Sequence, residues 1–142
     1  MKKVISGIML MLLLIGMLTL AYNIQPVKAS GPYYIKSDGS VDPDDGTIIR
    51  DGDLYALTRN IFSDADGIVI ERNNMTLDGA SHTVQGNRDW KGIGLNGRNN
   101  VTVKNMKITR FCWGFYLKDS SNNSIIKNTS SGNDYDGVAL FQ

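Results

Sequence analysis

Past residue 29 the chain offers one histidine (His82), one cysteine (Cys112) and two methionines (Met75, Met106). A transition-metal centre gathers such ligands closely, and these four stand far apart, so no metal and no cofactor are expected. His82 reads as a hydrogen-bonded turn residue and the two methionines as core filler. The stretch Asp38 to Gly46 holds Asp38, Asp42, Asp44 and Asp45 but lacks the closing Glu and spacing of a calcium loop, so a solvated acidic loop is expected. The remaining chemistry-bearing residues are aromatic. Trp113 and Tyr116, with Lys118 beside them and Phe141 further on, could stack on sugar rings and bond their edges. Packing of Trp113 over a corner would account for the same residue. Trp113, Tyr116 and Lys118 are the carbohydrate-binding candidates, and no catalytic residue is assigned. Four Asn-x-Ser/Thr acceptor patterns begin at Asn74, Asn100, Asn122 and Asn128, as an asparagine-rich repeat produces readily.

The elements that position these residues repeat. Glycine followed by an alternating apolar triplet recurs at Gly67, Gly92, Gly114 and Gly137, at intervals of 25, 22 and 23 residues. In constant phase behind it come Asn73-Asn74-Met75-Thr76-Leu77, Asn99-Asn100-Val101-Thr102-Val103 and Asn122-Asn123-Ser124-Ile125-Ile126. A weaker third motif follows as His82-Thr83-Val84, Met106-Lys107-Ile108 and Thr129-Ser130-Ser131. Each repeat therefore holds three short strands joined by Asn, Gly, Ser and Asp turns. A unit this small cannot close a core alone, but stacked units can, with strands ~4.8 Å apart. The predicted fold is all-β, a parallel β-helix of about three coils.

Alternation assigns the faces. Ile68/Ile70, Ile93/Leu95, Phe115/Leu117 and Val138/Leu140 are expected inside, as are Met75/Leu77, Val101/Val103 and Ile126. Val69, Gly94, Tyr116 and Ala139 are expected outside. Asn74, Asn100 and Asn123 are expected as stacked corner asparagines whose amides bond from coil to coil.

Residues 30–62 fall outside the period. A strand at Pro32–Lys36, the acidic loop and an Asp51-Gly52 hairpin make them an expected N-terminal β cap, leaving 63–142 for the helix. Residues 1–29 begin Met1-Lys2-Lys3, run apolar from Val4 to Ala21 and reach small residues at Val27-Lys28-Ala29. That reads as a secretory signal, or as a retained membrane anchor; both place the rest outside the cytoplasm. Without Lys2, Lys3 and Lys28, 12 basic residues face 14 acidic ones, a net charge of −2. No basic tract appears, so nucleic acid is not an expected partner. Cys112 has no partner for an internal disulfide. At Gln142 the sequence stops two residues past a strand, so further coils, or end-to-end self-association, are expected there.

The motifs "YYIKSDGSVDP", "RDGDLYALTRNI", "IVIERNNMTLDGASHTVQG" and "IGLNGRNNVTVKNMKITRF" resemble secreted archaeal right-handed β-helix proteins. These are the NosD-like (periplasmic copper-binding) and carbohydrate-binding or sugar-hydrolysis repeat group of the pectin-lyase-like superfamily. The resemblance spans residues 33–142 and implies a right-handed helix. It also implies that any activity would lie on the outer face of the first sheet, where hydrolysis needs two carboxyls about 5 to 9.5 Å apart. The outward columns there are Asp66, Lys91, Trp113, Asp136 before the strand and Glu71, Asn96, Lys118, Phe141 after it. No two carboxylates are neighbours, and the copper label finds no ligand set. The expected role is a non-catalytic extracellular or surface module that binds polysaccharide or cell-surface glycan, or acts as a scaffold. The alternative is the N-terminal part of a polysaccharide lyase or glycoside hydrolase with catalytic coils beyond residue 142.

Overall fold

The computed structural model describes residues 31–142; the expected signal or anchor segment lies outside them. Among the described residues every regular element is a strand. Three strands per turn recur: β6 (Ile68–Ile70), β7 (Met75–Asp78), β8 (Thr83–Gln85); then β9 (Lys91–Asn96), β10 (Val101–Lys104), β11 (Lys107–Thr109); then β12 (Trp113–Lys118), β13 (Ser124–Ile126), β14 (Thr129–Ser131); and β15 (Val138–Phe141) opens the next turn. Each pairs in parallel with its counterpart one turn away, which builds three sheets around one core.

The segment 31–62 supplies a turn of its own. Its strands β1 (Tyr33–Ile35), β4 (Leu54–Leu57) and β5 (Ile61–Phe62) run parallel to β6, β7 and β8. Two additions, β2 (Val41–Asp42) and β3 (Ile48–Asp51), pair antiparallel with β1 and β4 and cover the sheet edges, where naked strands would otherwise invite aggregation. Two buried tyrosines tie the acidic loop down. The Tyr33 hydroxyl donates to Asp45 (2.9 Å) and lies 3.0 Å from the Thr47 hydroxyl, and Tyr55 donates to the Gly39 carbonyl (2.9 Å). Asp38 bonds Ser40, and Asp42 pairs with Lys36 at 2.8 Å. Asp38, Asp42 and Asp45 thus serve the cap itself.

The recurring strand glycine has a packing cause. Val84, Ile108 and Ser130 form one column of the third sheet, and their side chains press across the interior. A Cβ on Gly67 would lie 2.7 Å from Val84, one on Gly92 2.4 Å from Ile108, and one on Gly114 1.9 Å from Ser130. Phe111, fully buried, fills the space beside Gly67, Gly86 and Gly92. Glycine at the start of the first sheet is what lets this narrow prism close-pack.

Two expectations change in the third coil. Asn99 pairs with Ser121 and Thr102 with Ser124, so Asn122 continues the corner column and Asn123 stands at the position of Val101. A one-residue slip exchanges faces in a strand. Ile125, opposite Val103, therefore takes the inward column, whereas Ile126 lies opposite Lys104 on the outer one and is exposed. Val138 and Leu140 share columns with Phe115 and Leu117 but are exposed, since β15 has a neighbour strand on one side.

Candidate functional site

On the first sheet, the columns before, within and after the strands hold the expected residues in register: Lys91 beside Trp113, Gly94 beside Tyr116 and Val69, Asn96 beside Lys118. Side-chain size along the middle column then shapes the surface. Tyr116 stands up and Gly94 leaves a trough; a Cβ there would meet no atom within 4 Å. The result is a groove of about 630 Å³, floored by Val69 and Gly94 and bounded by Asp66, Lys91, Glu71, Arg98, Tyr116 and Lys118.

Its polar groups are held in place. Asp66 accepts the Lys91 backbone N–H at 2.9 Å. The Lys91 ammonium lies 4.5 Å from the centre of the Tyr116 ring, a cation–π contact that orients both. Arg98 bends back over the rim, donating to the carbonyls of Asn96 (2.8 Å) and Glu71 (2.7 Å). Lys118 forms no ion pair among the described residues. The groove therefore offers ammonium, guanidinium, carboxylate and phenol groups around a small apolar floor.

An aromatic ridge rises on the side toward the third coil. Trp113 stacks on Tyr135 (5.3 Å, 24°) and meets Tyr116 edge-on at 5.6 Å; Tyr116 in turn contacts Phe141 at 4.9 Å. The structure brings Trp113, Tyr116 and Phe141 together but spends their faces on one another. Trp113 is half-buried, with one face covered by Tyr135, while Tyr135 is 69% exposed. Sequence reasoning missed Tyr135 and Arg98, and it put Lys91 and Gly94 on the outer face without counting them as site residues. The available signal was a glycine in an outward column otherwise filled by Val69, Tyr116 and Ala139.

The remaining candidates sit elsewhere. Asn74 and Asn100 stack at the corner before the second sheet, and Asn100 donates its amide N–H to Asn74 Oδ1 at 3.0 Å. Asn123 turns inward instead. Its Oδ1 accepts the Val101 N–H (2.9 Å) and its amide donates to the Arg98 carbonyl (3.0 Å). Met75 and Met106 are buried. The Cys112 thiol is pushed up in pKa by burial and by Asp89 and Asp134; it bonds the Arg88 carbonyl at 3.3 Å. Among the described residues no cluster of three or more His, Cys, Asp or Glu could hold a metal ion.

Three parallel sheets closing a single core, with a groove on the outer face of the first, define a β-solenoid. The chain belongs to the right-handed β-helix family: the model of the right handed beta helix region matches residues 34–142. No curated protein and no solved structure matches the chain.

Proposed function

We propose that this chain is an exported β-helix module that binds carbohydrate in the groove on its first sheet. The observation that carries the reading is the groove itself. Its apolar floor at Val69 and Gly94 lies beneath donors and acceptors on Asp66, Lys91, Arg98 and Lys118, the first three held by hydrogen bonds or a ring contact. A sugar presents just such a pattern, an apolar ring face edged by hydroxyls. Tyr116 forms one wall, made rigid from behind by Trp113 and Phe141. Export is supported by the basic, apolar and small-residue sequence of residues 1–29.

Binding is favoured over hydrolysis. Asp66 and Glu71 belong to one coil at opposite ends of β6, five residues apart, or ~16 Å at strand rise. Acid–base cleavage of a glycosidic bond needs carboxyls about 5 to 9.5 Å apart.

A panel of immobilised neutral and acidic polysaccharides tests the reading. At least one should retain the protein. Gly94→Phe, which fills the trough from a position where a side chain meets no neighbour, should weaken retention at least tenfold without changing the melting temperature. Failure of the whole panel to retain the protein, or retention indifferent to Gly94→Phe, would sink the proposal.

A further inference from the structure

Asn74, Asn100 and Asn122 stack as one exposed column at the corner before the second sheet, and the geometry points to this column as a site of N-linked glycan attachment. The inference rests on export, because the machinery that modifies Asn-x-Ser/Thr acts on exported chains.

All three asparagines take the left-handed conformation, at φ 54°, 55° and 55°. Two residues after each comes a hydroxyl, Thr76, Thr102 and Ser124, and these too are in register. The middle residues are Met75, Val101 and Asn123, none of them proline. The second acceptor follows the first by 26 positions and the third follows the second by 22, yet the acceptor pattern keeps the same structural place. Neither packing nor backbone demands an amide there. At the equivalent turn of the cap stands Gly52, at φ 60°, which meets the left-handed requirement with no side chain. The asparagine ladder accounts for Asn74 and Asn100, which bond each other. It does not account for Asn122, whose amide forms no side-chain hydrogen bond among the described residues.

The fourth acceptor pattern provides the contrast. Asn128 is half-buried, its Oδ1 accepts the Met106 N–H (3.0 Å) and its amide donates to the Val103 carbonyl (2.8 Å). A glycan on that nitrogen would break the coil. Among the exposed three, Asn100 sits between two rungs each ~4.8 Å away, too close for glycans on adjacent rungs, and one of its two amide N–H groups already bonds Asn74. Asn122 is the favoured acceptor, and Asn74, two rungs off, can be occupied beside it. In the transfer, Asn122 Nδ2 bonds to the anomeric carbon of a lipid-phosphate-linked oligosaccharide. The bond from that carbon to the phosphate oxygen breaks, the lipid phosphate leaves with the electron pair, and the amide gives one proton to a base of the transferase.

Intact-mass and glycopeptide analysis of the protein purified from its native host tests this. Sugar mass is expected on the peptide holding Asn122, with or without more at Asn74. Asn122→Gln should remove the first increment, and so should Ser124→Ala, which keeps Asn122 and the fold. The peptide with Asn128 should be bare. A chain recovered outside the cytoplasm but unmodified at Asn122 would overturn the inference and leave the export reading standing. A cytoplasmic, unmodified chain would overturn both, and sugar on Asn128 would contradict the structural argument.

Discussion

Two successive coils solve the same problem with opposite chemistry. In the coil of β9–β11, the inward positions Val101, Met106 and Phe111 are buried and apolar. One turn later the register places Asn123, Asn128 and Asn133 over them. Each asparagine Oδ1 accepts the backbone N–H of the residue it covers, at 2.9, 3.0 and 3.1 Å. Their amide groups donate onward, to the carbonyls of Arg98 and Val103 and to Ser130 Oγ, which itself donates to the Gly137 carbonyl at 2.9 Å. Apolar burial holds the lower coil through area and close packing. The upper coil exchanges much of that for a connected hydrogen-bond network, valuable because it leaves no buried side-chain polar atom without a partner. A solenoid can thus continue its backbone geometry while changing what fills its interior.

Phe111→Ala should do most damage, since the ring packs against Gly67, Gly86 and Gly92; a loss of about 3–5 kcal/mol is expected in chemical denaturation. In the polar coil, Asn128→Ala strands the Met106 N–H and the Val103 carbonyl together and should cost about 1–3 kcal/mol. Asn128→Leu should do no better, despite adding apolar area, if hydrogen bonding is what that coil relies on. The smallest effect concerns the cap. Burial raises the Asp45 pKa, but hydrogen bonds from Thr47 and Tyr33 and the charge of Arg59 outweigh it, leaving the carboxyl below its ordinary 3.8. A lowered folded-state pKa stabilises above the ordinary value and is lost as pH falls below it. Thermal stability should therefore decline below about pH 3.8, and less steeply in Asp45→Asn.

Much of this was legible in the spacing of the repeats. Alternation identified the inward sets of the first sheet through Phe115 and Leu117, and the outward columns matched the observed register. The Asp51-Gly52 signal became the β3–β4 hairpin, with Asp51 opposite Leu54. What failed was phase in the third coil. The paired asparagines at 122–123 look like those at 99–100, but the turn before them admits Asn122 and not Asn123 into the corner. Local motif matching cannot see that slip, because interstrand register decides it. The groove was half legible: its columns were readable, but a glycine's empty side defines it, and composition alone gives absence of a side chain no direction. The mutual engagement of Trp113, Tyr116, Tyr135 and Phe141 was likewise hidden, since Tyr135 lies in a turn whose path only the stacked coils fix.

The most direct test of carbohydrate binding at the first sheet is an NMR titration of the labelled protein with oligosaccharides cut from any polysaccharide that retains it. Saturable shifts are expected at the amides of Val69, Gly94, Tyr116 and Lys118, with Thr83, Lys107 and Thr129 of the third sheet unmoved. Shifts confined to the second or third sheet, or none at saturating sugar, would contradict it.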